Sequence, residues 1–268
     1  MTVEANAPVE SLAALLINGE PKGMHTVDMV AAILNLFEEE PEFGVREMSR
    51  RLNLSRSAVQ RFAAGLATAG LLDRHGRRYR LGLRLLELGA LVPMRSELVD
   101  VARPTLRALV QMTGETVHLA ALDGINVVYM AKVEGPRAMA MPTQIGRLNP
   151  VYCTGVGKAL LAYQEPEFVA RVSAHGLLPY TKRTITDPGE LRAQLNAIRK
   201  NGFAIDDQER QLGLRCVALP VGDETGAVVA SLSIAGPAAR MTNPNIRSML
   251  PEIKQAADRI GRALGWHP

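Results

Sequence analysis

Residues 44–80 constrain the fold most, because they combine a helical spacing of apolar residues with a concentration of arginine. This stretch contains nine arginines and only two acidic residues, Glu47 and Asp73, which gives it a net charge of +7. The whole chain carries only +4, so the remaining residues sum to −3. A single basic segment in a mildly acidic chain indicates contact with a polyanion through one end of the molecule, although a solvated basic face has the same composition.

The apolar spacing in and before this stretch predicts three helices and a hairpin. Residues 26–39, residues 45–52 and the segment after Ser55 each place their apolar side chains on one helical face. Ser55 is expected to cap the third helix and Gly70 to end it. Beyond Gly70, alternating residues on both sides of the His75-Gly76 turn predict a two-stranded wing.

The exposed positions of this unit fit the recognition of double-stranded DNA by a helix-turn-helix. In that motif the first turns of the second helix enter the major groove. Arginine and glutamine side chains there can read guanine and adenine, while serine commonly contacts phosphate. The predicted DNA-binding residues are Ser55, Arg56, Ser57, Gln60 and Arg61 on the helix, with Arg74, Arg77 and Arg78 on the wing. Three helices with a turn also occur in other folds, but the charge and the wing together favour DNA.

Residues 46–61 and 79–89 resemble the DNA-binding domain of IclR-type bacterial transcriptional regulators. The resemblance covers about residues 24–264, since it continues through residues 114–119, 155–161, 184–187, 213–218 and 233–237. It implies a ligand-responsive regulator that binds palindromic operator DNA as a homodimer or a dimer of dimers. It also implies that the C-terminal part is a GAF-like domain that binds an effector.

The pattern along the chain predicts an α+β protein with two domains. The expected parts are a disordered tail at 1–22, a winged helix-turn-helix domain at 23–81, a linker helix at 82–95 and a GAF-like α/β sheet effector-binding domain at 96–268. Within the last part, helices are expected at 97–112, from Asp187 to Gly202 and after Asn243. Strands are expected at 116–122, 127–133, 203–206, 214–221 and 227–234.

Several function classes lack support in the sequence. The start of the chain has no signal peptide and no segment approaches 18 apolar residues, so a cytoplasmic protein without membrane contact is expected. Cys153 and Cys216 form no disulfide framework, and the five histidines show no metal-ligand spacing, so we expect no metal, no cofactor and two buried free thiols. His118 is expected to be a hydrogen-bonded interior residue.

Catalytic motifs are also incomplete. The run around Lys158 fails as a phosphate-binding loop, because Tyr152 and Ala159 occupy positions that need glycine and a hydroxyl residue. No G-x-S-x-G elbow occurs. We therefore expect no catalytic residues and no enzyme. An enzyme with an accessory DNA-binding domain and a regulator with an empty pocket remain the alternatives.

A small-molecule pocket is the better interpretation of the motifs in the C-terminal part. Gly155 and Val156 precede a predicted apolar helix at 158–161, and a helix N-terminus suits a carboxylate. The resemblance implies a small organic acid as effector, and the predicted effector-binding residues are Met141, Asn149, Thr154, Gly155, Val156, Asp206, Cys216 and Ser233. Each of them also has an ordinary structural interpretation, for example a turn glycine or a surface acid.

Three positions depart from the pattern of similar regulators. These are Tyr152, Asn149 and Ala235, where a histidine, an apolar residue and a serine are common. The departures favour an effector larger than a two- or three-carbon acid, aromatic or amide-bearing, with Met139 or Met141 as one wall. The identity of the effector, the operator sequence, activation or repression, and dimer or tetramer stay open.

Overall fold

The computed structural model describes residues 26–91, 93–139 and 143–266 of the 268-residue chain. The described residues form two compact units, one up to residue 93 and one from residue 94. The tail predicted at 1–22 lies outside the described residues, as does Met141.

The first unit is a winged helix-turn-helix, as predicted. Its helices are α1 (Thr26–Asn35), followed by a 3₁₀ turn, then α2 (Val45–Leu52) and α3 (Arg56–Thr68). Its sheet has the order β1-β3-β2 and consists of β1 (Phe43–Gly44), β2 (Leu72–His75) and β3 (Arg78–Leu81). Strand β1 was not predicted, because two residues are too short for an alternation pattern. It exists because Phe43 pairs with Tyr79 across the sheet.

Local signals determine where these helices begin and end. The Ser55 hydroxyl accepts a hydrogen bond from the Ala58 N–H at 3.2 Å, which confirms the predicted cap of α3. Gly70 follows the end of α3 with a φ of +74°, the left-handed conformation that glycine adopts most easily. The tight turn before α3 depends on Asn53, whose φ is +51°. Buried apolar side chains of α1, α2, α3, β1 and the wing then form one core.

The helices after the wing differ from the prediction. The expected connector at 82–95 is a shorter helix, α4 (Arg84–Ala90). The next helix, α5 (Pro93–Thr113), begins four residues earlier than the expected residue 97. Pro93 was expected to close the connector, but a proline is well tolerated in the first turn of a helix, where its missing N–H has no partner to lose.

The second unit is built on a six-stranded antiparallel sheet with the order β6-β5-β4-β9-β8-β7. Its strands are β4 (Thr116–Asp123), β5 (Asn126–Val133), β6 (Leu148–Pro150), β7 (Ala204–Asp207), β8 (Leu214–Gly222) and β9 (Val228–Pro237). Its other helices are α6 (Gly155–Leu161), α7 (Pro166–Ala174), α8 (Pro188–Asn201) and α9 (Asn243–Ala263). The predicted α+β class is confirmed.

The two faces of this sheet carry separate cores. Helices α5 and α9 pack on one face against Leu232 and Ile234 of β9, while α6, α7 and α8 pack on the other against Ala120 and Ala218. Because side chains alternate along a strand, Ser231, Ser233 and Ala235 point away from the α5–α9 face. The small polar side chains of β9 therefore lie on the side that faces α6.

Most elements of this unit agree with the sequence, and the differences have local causes. Asp187 caps α8 through the Glu190 N–H at 2.8 Å, and Gly202 ends it, both as predicted. Helix α6 begins at Gly155 rather than at Lys158, because the Thr154 hydroxyl accepts a hydrogen bond from the Gly157 N–H at 3.2 Å. Strand β6 and helix α7 were not predicted. None of the helices in the described ranges is long and apolar enough to cross a membrane.

Candidate functional site

The first turns of α3 form an exposed polar surface. Arg56, Ser57, Gln60 and Arg61 are all exposed there. Ser55 is exposed too, but its hydroxyl caps the helix and lies 3.1 Å from the Ser57 hydroxyl, so it is engaged within the chain. The structure thus brings the five predicted helix residues together at one end of α3.

Gln60 is connected to the wing. Its side-chain Nε2 donates a hydrogen bond at 3.2 Å to the hydroxyl of Tyr79 on β3. Tyr79 is buried, so the contact restricts where the Gln60 amide points. The sequence contained no signal for this pair, because the two residues are brought together only when the wing folds against α3.

The three predicted wing arginines have different surroundings. Arg77 is exposed and makes no ion pair in the part of the chain that the structure describes. The Arg74 Nε donates to the Gly76 carbonyl at 3.1 Å. Arg78 donates to the Glu42 carbonyl at 2.6 Å and also lies within 3.6 Å of the Glu42 and Glu47 carboxylates. The charge of Arg78 is therefore partly compensated, while that of Arg77 is not.

Two further arginines, both on α2, are exposed and were not assigned to DNA binding. Arg46 and Arg50 are exposed, and residues four apart lie on the same side of a helix. Within the described residues neither makes an ion pair, unlike Arg51, which contacts the Glu39 and Glu40 carboxylates. Their spacing in the sequence was a usable signal, because both lie opposite the apolar face of α2.

The second unit contains a small cavity on the α6 side of the sheet. It is lined by His118, Tyr129, Thr143, Asn149, Thr154, Gly155, Val156, Asp206, Arg210, Gln211, Leu214, Cys216, Ser233 and Ala235. Seven of the eight residues predicted to bind an effector are in this set, and the eighth, Met141, lies outside the described residues. Met139 packs against the cluster of Leu214, Cys216 and Ala235. The enclosed space is about 30 Å³, enough for one or two water molecules.

The N-terminus of α6 is tightly packed against β8. The Cys216 sulfur contacts Gly155, and a Cβ added at Gly155 would lie 2.4 Å from it. Burial raises the pKa of the Cys216 thiol to about 12, although the backbone N–H groups of Asp206 and Gly155, which face the sulfur, act in the opposite direction. Both cysteines are free and buried, as predicted.

Asp206 stabilises the segment that follows β7. Its Oδ1 accepts a hydrogen bond from the Glu209 N–H at 2.7 Å. Burial raises the pKa of the Asp206 carboxyl to about 7, even though the nearby Lys158 ammonium lowers it. Lys158 is itself completely buried, where its Nζ donates to the Ile205 carbonyl at 2.7 Å and pairs with the Glu209 carboxylate. The lysine thus has a structural partner rather than a phosphate.

The cavity also includes residues that sequence reasoning did not assign to it. His118 is buried and hydrogen-bonded, as predicted, with its Nε2 3.0 Å from the Thr143 hydroxyl and its ring against Tyr129. Burial, together with the charge of Lys132, lowers the pKa of His118 to about 3, so the imidazole is neutral at physiological pH. Arg210 contributes a cation to the wall. No local sequence pattern predicts that these residues share a cavity, because it is the pairing of distant strands that brings them together.

The described residues contain no cluster of three or more histidine, cysteine or acidic side chains that could hold a metal ion. The cavity instead offers hydrogen-bonding groups on an otherwise closely packed wall. Asn149 is buried and its Nδ2 has no hydrogen-bond partner, and the Arg210 Nε is in the same situation. Such an arrangement suits the binding of a small polar molecule.

Comparison with known proteins gives a consistent result over both units. Residues 26–76 match the family model described as the IclR helix-turn-helix domain, and residues 91–262 match the one described as the bacterial transcriptional regulator IclR C-terminal. The chain is 35% identical over 254 residues to the HTH-type transcriptional regulator KdgR of Escherichia coli K12, covering 94% of this chain and 97% of KdgR.

Two solved structures extend the comparison. The Thermotoga maritima IclR structure matches with a TM-score of 0.74 and 34% identity, over 91% of this chain and all of that one. An IclR homolog from Microbacterium hydrocarbonoxydans, solved in complex with 4-hydroxybenzoate, matches with a TM-score of 0.79 and 26% identity, over 88% and 97% of the two chains.

Proposed function

The chain belongs to the IclR family of bacterial transcriptional regulators, and on that premise we propose that a small organic acid or related catabolite binds its C-terminal cavity and controls its binding to palindromic operator DNA. The protein combines a helix-turn-helix DNA-binding domain with a C-terminal effector-binding domain. The observation that carries the proposal is the cavity, because it brings buried polar groups without partners together with the predicted effector-binding residues.

For the DNA-binding domain, we propose that Arg56, Gln60 and Arg61 contact base edges, and that Arg77 contacts phosphate together with Arg74 and Arg78. The proposal is supported by the exposure of these side chains on α3 and the wing. Arginine and glutamine can each make two hydrogen bonds to one base, which discriminates between base pairs. Ser55 and Ser57 lie where the helix N-terminus approaches the phosphate backbone.

We propose that the protein acts as a homodimer, or a dimer of dimers. A protomer has one recognition helix, whereas a palindromic operator presents two half-sites about 34 Å apart. Leu83, Leu86 and Leu91, on and beside α4, are each more than 70% exposed. Such a group of exposed leucines is unusual on a monomer and supports an interface with a second copy of the chain. The protein would then act in the cytoplasm, where operator DNA is found.

The size of the cavity gives the proposal a mechanism. Because it holds one or two water molecules as it stands, an organic acid enters only if part of the wall moves. A ligand that binds one arrangement of the wall better than another shifts the population towards that arrangement. The complex of the Microbacterium hydrocarbonoxydans relative with 4-hydroxybenzoate supports an aromatic acid among the candidates.

We propose that the second unit performs no catalysis. Burial raises the pKa of both Cys153 and Cys216 to about 12, so neither is a thiolate nucleophile near neutral pH. The pKa of His118 is lowered to about 3, which makes its imidazole a very weak base. The relatives that cover most of the chain are named as regulators.

The test combines a thermal-shift screen of carboxylic acids and their amides with titration calorimetry of the hits. A ligand that prefers the native state raises the melting temperature. Ser233→Ala should lower the affinity for a hit of the screen by about two- to twelvefold, because the loss of one neutral hydrogen bond has an effect of this size. Ser231→Ala is the matched control, because Ser231 is also buried on β9 but donates its hydroxyl to the Leu219 carbonyl.

Two outcomes would contradict the proposal. If no acid or amide binds and purified protein nevertheless binds its operator tightly, the protein is an effector-independent regulator. If a hit binds Ser233→Ala and Gly155→Val as tightly as wild type, its site is elsewhere. Operator binding should persist in both variants, because both substitutions lie in the second unit.

A further inference from the structure

We infer that Arg210 is the charged group that recognises an anionic head of the effector, and that Tyr180 positions its guanidinium. The inference rests on the proposed function and assigns the chemistry of its site. It adds a side-chain cation to the contacts expected at the N-terminus of α6.

Arg210 is the only lysine or arginine among the described residues that line the cavity. Its Nε is buried and has no hydrogen-bond partner. Within the described ranges no carboxylate lies within 4 Å of its guanidinium. A buried donor without an acceptor is unfavourable, and the planar fork of arginine matches two carboxylate oxygens. An anion in the cavity would supply the missing acceptor.

The other charged groups near the cavity are already engaged. Lys158 pairs with the Glu209 carboxylate and also donates to the Ile205 carbonyl. The Asp206 carboxylate accepts the backbone N–H groups of Glu209 and Arg210. Arg210 therefore remains as the cation that can respond to a ligand.

The N-terminus of α6 has part of its donors engaged. The Gly157 N–H donates to the Thr154 hydroxyl, and the Lys158 N–H donates to the Thr154 carbonyl. The Gly155 and Val156 N–H groups are left for a ligand in this turn. Both are neutral donors, whereas a hydrogen bond from a guanidinium is charge-assisted, so Arg210 supplies the positive charge that this turn lacks.

Tyr180 fixes the direction of the guanidinium. The Arg210 Cζ lies over the Tyr180 ring, 4.1 Å from its centroid, which is a cation–π contact. The loop that carries Tyr180 is joined to the segment that carries Arg210. The Tyr180 N–H donates to the Thr184 hydroxyl at 3.0 Å, and that hydroxyl donates to the Glu209 carbonyl at 2.6 Å.

A second cavity group defines the rest of the ligand. The buried Nδ2 of Asn149 has no acceptor, and the Ser233 hydroxyl makes no hydrogen bond within the described part of the chain. A ligand that satisfies Arg210 and Asn149 together carries a carboxylate and a second oxygen acceptor. The ligand class is therefore a hydroxy, oxo or amide-bearing carboxylic acid.

The test uses matched pairs of similar size, in which a neutral amide takes the place of the carboxylate: lactate, mandelate and levulinate, each beside its primary amide. Binding to the full-length protein is measured by calorimetry for wild type, Arg210→Gln, Arg210→Lys and Tyr180→Leu. Arg183→Gln serves as the control, because Arg183 is an exposed arginine that pairs with Asp207 on the neighbouring segment.

Wild type should prefer an acid over its amide by roughly 10- to 100-fold, the effect of a hydrogen bond to a charged group. Arg210→Gln should abolish this preference for the acid without lowering the affinity for the amide. Arg210→Lys should retain part of the preference. Tyr180→Leu should lower the affinity for the acid several-fold and leave the affinity for the amide unchanged. A purely structural role of Tyr180 would lower both affinities. Arg183→Gln should behave as wild type.

The failures are distinguishable. If an acid binds wild type and Arg210→Gln with the same preference over its amide, the assignment of Arg210 is overturned and the proposed function stands. If amides bind at the cavity as tightly as acids in wild type, the anionic class is overturned. If none of these probes binds wild type but another carboxylic acid from the thermal-shift screen does, the hydroxy or oxo class is overturned and the proposed function stands. If no carboxylic acid binds, the organic-acid function fails and the Arg210 inference fails with it.

Discussion

Gly155 and Cys216 are in such close contact that a Cβ at position 155 would lie 2.4 Å from the cysteine sulfur. The requirement for glycine here comes from packing rather than from backbone conformation, since Gly155 is not among the residues with positive φ. The contact connects the start of α6 to strand β8 of the sheet. It also explains how the cavity wall is held together at the point where the two elements meet.

This contact predicts that Gly155→Ala destabilises the second unit and that Cys216→Ala relieves part of the effect. Overpacking of this kind costs about 1–3 kcal/mol, and residues in contact are expected to be non-additive. Urea unfolding of the two single variants and the double variant measures the coupling. Additive effects within about 0.3 kcal/mol would show that the sulfur is not the obstacle.

The recognition surface predicts separate effects for two arginines. Arg61→Ala should lower specific DNA affinity by about 1–3 kcal/mol, because a contact to a base edge is lost. Arg77→Ala should weaken binding to DNA of any sequence by the same factor. It should also reduce the magnitude of the slope of log affinity against log salt concentration by about one. Fluorescence anisotropy with operator and random duplexes at several salt concentrations measures both.

Arg78→Ala provides the internal control for this experiment. Because Arg78 is already paired with Glu42 and Glu47, its removal should change the salt slope less than the removal of Arg77. An unchanged preference for operator over random DNA in Arg61→Ala would show that Arg61 does not read bases.

The buried carboxyl of Asp206 predicts a pH dependence of stability. Its pKa is raised from 3.8 to about 7 in the folded protein, so the native state binds this proton more tightly than the unfolded state. The stability associated with Asp206 is therefore complete below about pH 4 and falls as the pH rises to about 7. Besides burial, the charges of Lys158 and Glu209 act on this carboxyl, and the backbone N–H groups of Glu209 and Arg210 bond to it. Its own charge acts in turn on Cys153, Cys216 and Tyr129.

Asp206→Asn should flatten the decrease in the free energy of unfolding between pH 5 and pH 7. The reason is that an amide oxygen still accepts the Glu209 N–H but the amide does not titrate. The free energy of unfolding in urea, measured across this range, tests it. The adjacent, half-exposed Asp207 is the matched control. Asp207→Asn should change the free energy of unfolding by a similar amount at each pH, so that its dependence on pH remains. An Asp206→Asn curve parallel to that of wild type would refute the prediction.

The exposed leucines of α4 predict the site of dimerisation. Leu83→Lys combined with Leu86→Lys should lower the dimer affinity by several kcal/mol, since burying one leucine contributes about 1.5–3 kcal/mol. Operator affinity should fall with it. Light scattering and analytical ultracentrifugation at micromolar concentration measure the assembly.

Leu178→Lys is the control for this pair of substitutions, because Leu178 is similarly exposed but lies in the second unit. A dimer that is unaffected by the α4 substitutions would place the interface elsewhere. A wild-type protein that is monomeric and still binds its operator at full affinity would remove the need for a dimer.

Local signals in the sequence determined much of this protein. Ser55, Gly70 and Asp187 act on backbone groups within about five residues of themselves, so the starts and ends of α3 and α8 could be predicted without tertiary structure. The class of the fold and the concentration of arginine in the first unit follow from pattern and charge in the same way. The resemblance to IclR-type regulators then assembled seven residues that do line one cavity.

The tertiary structure decided what depends on partners far apart in the chain. Strand β6 is too short to show a pattern and exists because it pairs with β5. The hydrogen bond from Arg78 to the Glu42 carbonyl and the one from Gln60 to Tyr79 join residues 36 and 19 positions apart. The first, with the ion pairs of Arg78, compensates part of its charge, and the second restricts the Gln60 amide. Arg210 became a cavity residue because the sheet order places β7 and β8, whose connection carries it, beside α6. Side-chain pairing between distant segments has no local signature, so the sequence alone could suggest where an effector binds but not which group carries the charge that recognises it.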